Sequence, residues 1–72
     1  MELSVLIIED AEPMSLVLNH LFSELNFKNI YSATTGSDAL EIALTKKPDL
    51  ITIDTVLPDM TGIDVLKIIK SK

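Results

Sequence analysis

Two short apolar runs, Val5-Leu6-Ile7-Ile8 and Leu50-Ile51-Thr52-Ile53, each stop at acidic residues, Glu9-Asp10 in the first case and Asp54 in the second. Continuous β-branched runs without polar alternation are the pattern of strands covered on both faces, as in a parallel sheet held between layers of helix. The first strand is expected at about residues 3 to 9 and the third at 50 to 53. Between them, Pro13 fits the first turn of a helix, and Met14, Val17, Leu18, Leu21, Phe22 and Leu25 follow at spacings that make one apolar stripe. Asn26 suits the left-handed position that ends such a helix.

The polar run Asn29 to Thr34 reads as an edge strand that Gly36 interrupts. Ser37 or a neighbour then caps a helix through Ala39, Leu40, Ala43 and Leu44, which ends at Lys46-Lys47 and is closed by Pro48. Pro58 keeps the next segment irregular, and Thr61 with Asp64 has the spacing of a capping box for a last helix bearing Ile63, Val65, Leu66, Ile68 and Ile69. The element order is therefore βαβαβα, which predicts an α/β fold with parallel strands and right-handed crossovers. If the strands lie in the order 2-1-3, the first and third are neighbours, and their terminal acids converge where strand order reverses.

The chain has 72 residues and no cysteine, so one small domain over 1–72 is expected, without disulfide or thiolate staples. Eleven acidic against six basic side chains give a net charge of -5, which argues against direct nucleic-acid binding and against anionic membrane surfaces. No apolar run approaches the roughly 18 residues of a membrane helix, and Met1-Glu2-Leu3 has no basic stretch before an apolar run. A cytoplasmic protein without a membrane segment is the expectation.

Three carboxylates within a few ångströms repel one another unless a cation neutralises them or their pKa values rise. Oxygen donors select magnesium, calcium or manganese. Asp10 and Asp54 are the expected direct ligands, with Glu9 acting directly or through water. Asp54 also suits a nucleophile's role, attacking phosphorus to give an acyl phosphate. A solitary strand-end Asp more often ends a strand or caps a turn, and the pairing with Glu9-Asp10 on a matching strand is what favours the functional reading.

The segments Val5 to Asp10, Pro48 to Asp54, and the loop Asp54 to Gly62 with Pro58 and Gly62 at offsets of four and eight from Asp54, together resemble the receiver domain of two-component response regulators. Leu57 stands where that family usually has methionine. The resemblance implies a flavodoxin-like, receiver-like three-layer fold and a signalling module rather than an enzyme. It implies that Asp54 accepts a phosphoryl group from a histidine kinase, a phosphotransfer protein or a small acyl phosphate. Magnesium would be held by Asp10, Asp54 and the backbone carbonyl of Val56, beside Glu9.

The resemblance covers the first three of the family's five βα units. The hydroxyl residue that ends the fourth strand and the lysine that ends the fifth lie beyond the matched part, which implies impaired phosphotransfer and switching in a chain so truncated. Such a half-fold leaves the third strand with a bare edge and part of the sheet face beside the first helix uncovered. A homodimer paired through third strands about a two-fold axis is the expected remedy, with a swapped dimer as the alternative. A second functional reading is an interaction module that keeps the acids without being phosphorylated.

The remaining features carry weaker signals. Asp10 and Glu12 faintly resemble the Asp-x-Asp of aspartate-nucleophile phosphatases, but that leaves Asp54, Pro58 and Gly62 unexplained. His20 and Leu16 fall on the outward side of the first helix, and the resemblance places Met14 and Leu16 near a kinase-docking surface. Leu57 and Met60 are expected to pack over the acceptor loop. Lys67, Lys70 and Lys72 are expected to form a solvated face.

Overall fold

The computed structural model describes residues 2–54 and 56–72. Its elements run β1 (Leu3–Ile8), α1 (Glu12–Glu24), β2 (Phe27–Ala33), α2 (Gly36–Lys46), β3 (Leu50–Ile53) and α3 (Gly62–Lys70). The strands form one parallel sheet in the order β2-β1-β3, with Val5 to Ile8 in register with Leu50 to Ile53.

The chain steps from β1 to one side and then crosses back to the other. With crossovers of a single hand, that reversal puts α1 on the opposite face of the sheet from α2. Both faces of β1 are accordingly buried, which is why its sequence shows no polar alternation. Val5 and Ile7 pack with Phe22 of α1, while Leu6 and Ile8 join Ala33, Ala39, Ala43, Leu57 and Val65 in the larger cluster beneath α2 and α3.

Local signals explain the boundaries. Asn26 and Lys47 adopt positive φ, 68° and 49°, and end α1 and α2 in the left-handed conformation. The Thr61–Asp64 capping box forms reciprocally at the start of α3. The cap of α2 is Thr35 rather than Ser37, with the Thr35 hydroxyl accepting from the Asp38 N–H at 3.2 Å. β2 begins two residues earlier than the polar run suggests because Phe27 packs edge-on against Phe22, ring centres 5.1 Å apart.

The stripe on α1 is only partly used. Phe22 is buried and Leu18 packs beside it, but Val17 and Leu25 remain more than half exposed. The helix lies over β1 and β2, so the flank carrying Met14, Val17, Leu21 and Leu25 has little beneath it among the described residues. On the other side, β3 pairs with β1 alone among the described residues, and Leu50, Ile63 and Leu66 are exposed along that margin. No helix among the described residues is long and apolar enough to cross a membrane.

Candidate functional site

Glu9 and Asp10 follow β1, and Asp54 follows β3. Since Ile8 is paired with Ile53, the residues just beyond are neighbours, and the Asp54 N–H donates to the Ile8 carbonyl at 2.9 Å. On the other side the Glu9 N–H donates to the Ala33 carbonyl at 3.0 Å. The backbone is thus fixed at the strand-order reversal, the crevice position expected of such sheets. One carboxylate oxygen from each of Glu9, Asp10 and Asp54 lies within 4.8 Å of the other two. Glu9 and Asp54 are partly buried and Asp10 is exposed.

The electrostatics register this crowding. The Ala11 N–H, donating to Glu9 Oε2 at 3.3 Å, favours the charged carboxylate, but partial desolvation, the Asp54 side chain and the charges of Asp54 and Asp10 prevail. The Glu9 pKa is raised above its ordinary value as a result. Three converging hard oxygen donors are the set that suits a divalent cation such as magnesium. Beside them, a cleft of about 290 Å³ opens between Ile8, Met14, Leu18 and Thr52, with Glu9 and Asp54 on its rim.

Val56 follows Asp54 by two positions, has a largely exposed side chain and makes an antiparallel bridge to Thr61. The loop is closed further by the Leu57 N–H donating to the Met60 carbonyl at 3.1 Å. Leu57 is buried in the core and Met60 packs against it, so both are packing residues. Gly62 allows α3 to begin against the end of β3, because a Cβ there would strike the Asp54 carbonyl.

Asp59 is the residue whose role the sequence conceals. Its two oxygens accept the Gly36 N–H at 2.7 Å and the Ser37 N–H at 3.0 Å. The Gly36 N–H holds its carboxyl below the ordinary aspartate pKa, against the opposing effect of desolvation, and the Ser37 N–H adds to the lowering. Its folded-state pKa being the lower, the unfolded chain binds more protons in the interval between the two values. Asp59 therefore stabilises the fold above the ordinary aspartate pKa, and this contribution is lost as pH falls through the depressed value. Acid unfolding followed by circular dichroism is expected to be less steep for Asp59→Asn than for the parent chain.

His20 is exposed and lies 3.7 Å from Glu24, away from the carboxylates. Lys67, Lys70 and Lys72 are exposed on or just beyond α3.

The response regulator receiver domain family model matches residues 5–72. The chain is 37% identical over 63 residues to the chemotaxis protein CheY of Thermotoga maritima, covering 88% of this chain and 52% of that protein. Among solved structures, the response regulator domain of Thermotoga maritima CheB is similar with a TM-score of 0.90 at 36% identity, over 100% of this chain and 55% of that one. The MaeR response regulator bound to beryllium trifluoride gives a TM-score of 0.89 at 27% identity, covering 96% of this chain and 57% of that one. The chain belongs to the response regulator receiver domain family of two-component signalling. It spans about half the length of CheY and about a fifth of a longer relative, a protein-glutamate methylesterase.

Proposed function

We propose that residues 1–72 act as receiver-domain sequence, cytoplasmic, in which Asp54 is the phosphoacceptor and Glu9, Asp10, Asp54 and the Val56 carbonyl hold Mg2+. The observation that carries this reading is the convergence of the three carboxylates at the strand-order reversal, with Asp54 at the end of β3. Magnesium held by these residues would neutralise charge on the acids and on the oxygens of an incoming phosphoryl group. A carboxylate oxygen of Asp54 attacks phosphorus, forming a P–O bond as the bond to the donor's leaving group breaks, and the leaving group departs with the electron pair. Glu9 and Asp10 orient Asp54 and, by their charge, exclude a phosphoryl donor until a cation is present. The chain accepts the group once and does not turn over, so it is a signalling module and not an enzyme. The similarity to a response regulator bound to beryllium trifluoride supports a site of this chemistry. A histidine kinase or phosphotransfer protein is the donor that the family membership supports.

Among the described residues β3 pairs with β1 alone, and a groove of about 150 Å³ lined by Ile53, Ile63 and Leu66 lies along its other margin. That margin favours a second role, pairing of β3 with β3 of another copy in a homodimer, which an interaction module would retain even if Asp54 were idle. Light scattering at micromolar concentration is expected to give twice the chain mass, and a monomer that melts cooperatively contradicts the pairing.

Incubation with acetyl phosphate and magnesium, read by intact mass, tests the acceptor role. One phosphoryl adduct is expected with magnesium and none after chelation by EDTA. No adduct under conditions that label a full-length receiver favours the interaction module.

A further inference from the structure

The start of α2 leaves backbone N–H groups that the helix itself cannot satisfy. They are shared between two residues far apart in sequence. Thr35 takes the Asp38 N–H, as a local cap does. The N–H groups of Gly36 and Ser37 go to Asp59, which belongs to the loop after β3. A second contact reinforces the first: the Met60 side chain lies so close over Gly36 that a Cβ at that position would overlap it. The loop is therefore gripped by α2 through two consecutive residues. Within the loop, the Val56–Thr61 bridge and the Leu57–Met60 hydrogen bond carry that grip back toward the acids.

We infer that Asp59 is a positioning residue which, by clamping the 56–61 turn to the amino end of α2, fixes Val56 beside the three-carboxylate cluster and ties the cation site to α2. The inference rests on the proposed cation site. Among the described residues Asp59 accepts hydrogen bonds from Gly36 and Ser37 and from none of the proposed ligands, so its effect is carried by the backbone of the turn. Groups that orient ligands in this way typically affect metal affinity about tenfold or more when removed. The amides of Gly36 and Ser37 become reporters, since a ligand that tightens the turn alters their hydrogen bonds to Asp59.

The test is a magnesium titration of the isotopically labelled chain followed by amide NMR, with Asp59→Ala compared against Thr35→Ala. Thr35→Ala also weakens the start of α2 but leaves the clamp in place. Asp59→Ala is expected to weaken magnesium binding about tenfold and to abolish the magnesium-induced shifts of Gly36 and Ser37. Thr35→Ala is expected to lower the melting temperature with an affinity within about twofold of the parent, and with the shifts retained. Asp59→Asn, which keeps one oxygen acceptor, is expected to fall between and serves if the alanine variant does not fold. Equal losses of affinity in Asp59→Ala and Thr35→Ala, or an unaltered affinity in Asp59→Ala, overturn the inference while leaving the cation site intact. A parent chain with no saturable response overturns both.

Discussion

Asp54→Asn is expected to remove all phosphoryl incorporation from acetyl phosphate at any magnesium concentration, while Asp38→Asn is labelled like the parent chain. The loss is complete because the amide oxygen that replaces the carboxylate is a poor nucleophile and forms no stable acyl phosphate. Asp38 lies in the first turn of α2, where it serves the helix and not the carboxylate cluster. The same substitution has an opposite effect on the metal-free fold. Beside partial desolvation, the Asp54 side chain and its charge raise the Glu9 pKa, so two like charges face each other when both are ionised. Replacing Asp54 by a neutral side chain relieves that repulsion, so the metal-free variant is expected to melt somewhat above the parent at neutral pH. Adding magnesium is expected to reverse the order, because the variant has lost a ligand. Intact mass and thermal melts with and without magnesium read both effects on the same samples. Labelling that survives in Asp54→Asn assigns the acceptor elsewhere.

Leu6→Ala is expected to remove a large share of the fold's stability. Leu6 is fully buried in the larger cluster, on β1, which among the described residues has a partner strand on each side. Truncating such a leucine costs about 2–5 kcal/mol through lost transfer energy and an unfilled cavity. A chain this short commands only about 4–11 kcal/mol by the usual stability per residue, so the loss removes a large share of it. Leu16→Ala provides the contrast: the side chain is 62% exposed on α1, and its removal is expected to change stability by no more than about 0.5 kcal/mol. Circular dichroism melts of the two variants measure the difference. A cooperative Leu6→Ala melt close to the parent's contradicts the assigned core.

The limits of what could be read from the residues follow the range of the interactions. β3 coincides with Leu50 to Ile53 because the run is bounded by Asp49 and Asp54, and the Thr61–Asp64 cap is visible because its partners are three residues apart. The convergence of Glu9, Asp10 and Asp54 was legible for a related reason: parallel pairing in the order 2-1-3 places the two strand ends side by side. The stripe on α1 shows where that approach ends. Periodicity marks Met14, Val17, Leu21 and Leu25 as apolar, but burial depends on what lies opposite, and the described residues supply little beneath that flank. Asp59 shows the limit more sharply. Its partners Gly36 and Ser37 are 23 and 22 positions away, and an aspartate after a proline reads equally as an ordinary turn residue.

The proposed divalent-cation site is formed by Glu9, Asp10 and Asp54 at the ends of β1 and β3. A magnesium titration of the labelled parent chain and of Asp10→Asn, followed by amide NMR, tests it most directly. The predicted result is a saturable set of shifts confined to the segments after β1 and β3 and to the loop through Gly62, weakened at least about tenfold in Asp10→Asn, as loss of a direct ligand should weaken it no less than loss of an outer partner. Shifts that fail to saturate, that spread over acidic residues elsewhere on the surface, or that persist unchanged in Asp10→Asn contradict the account.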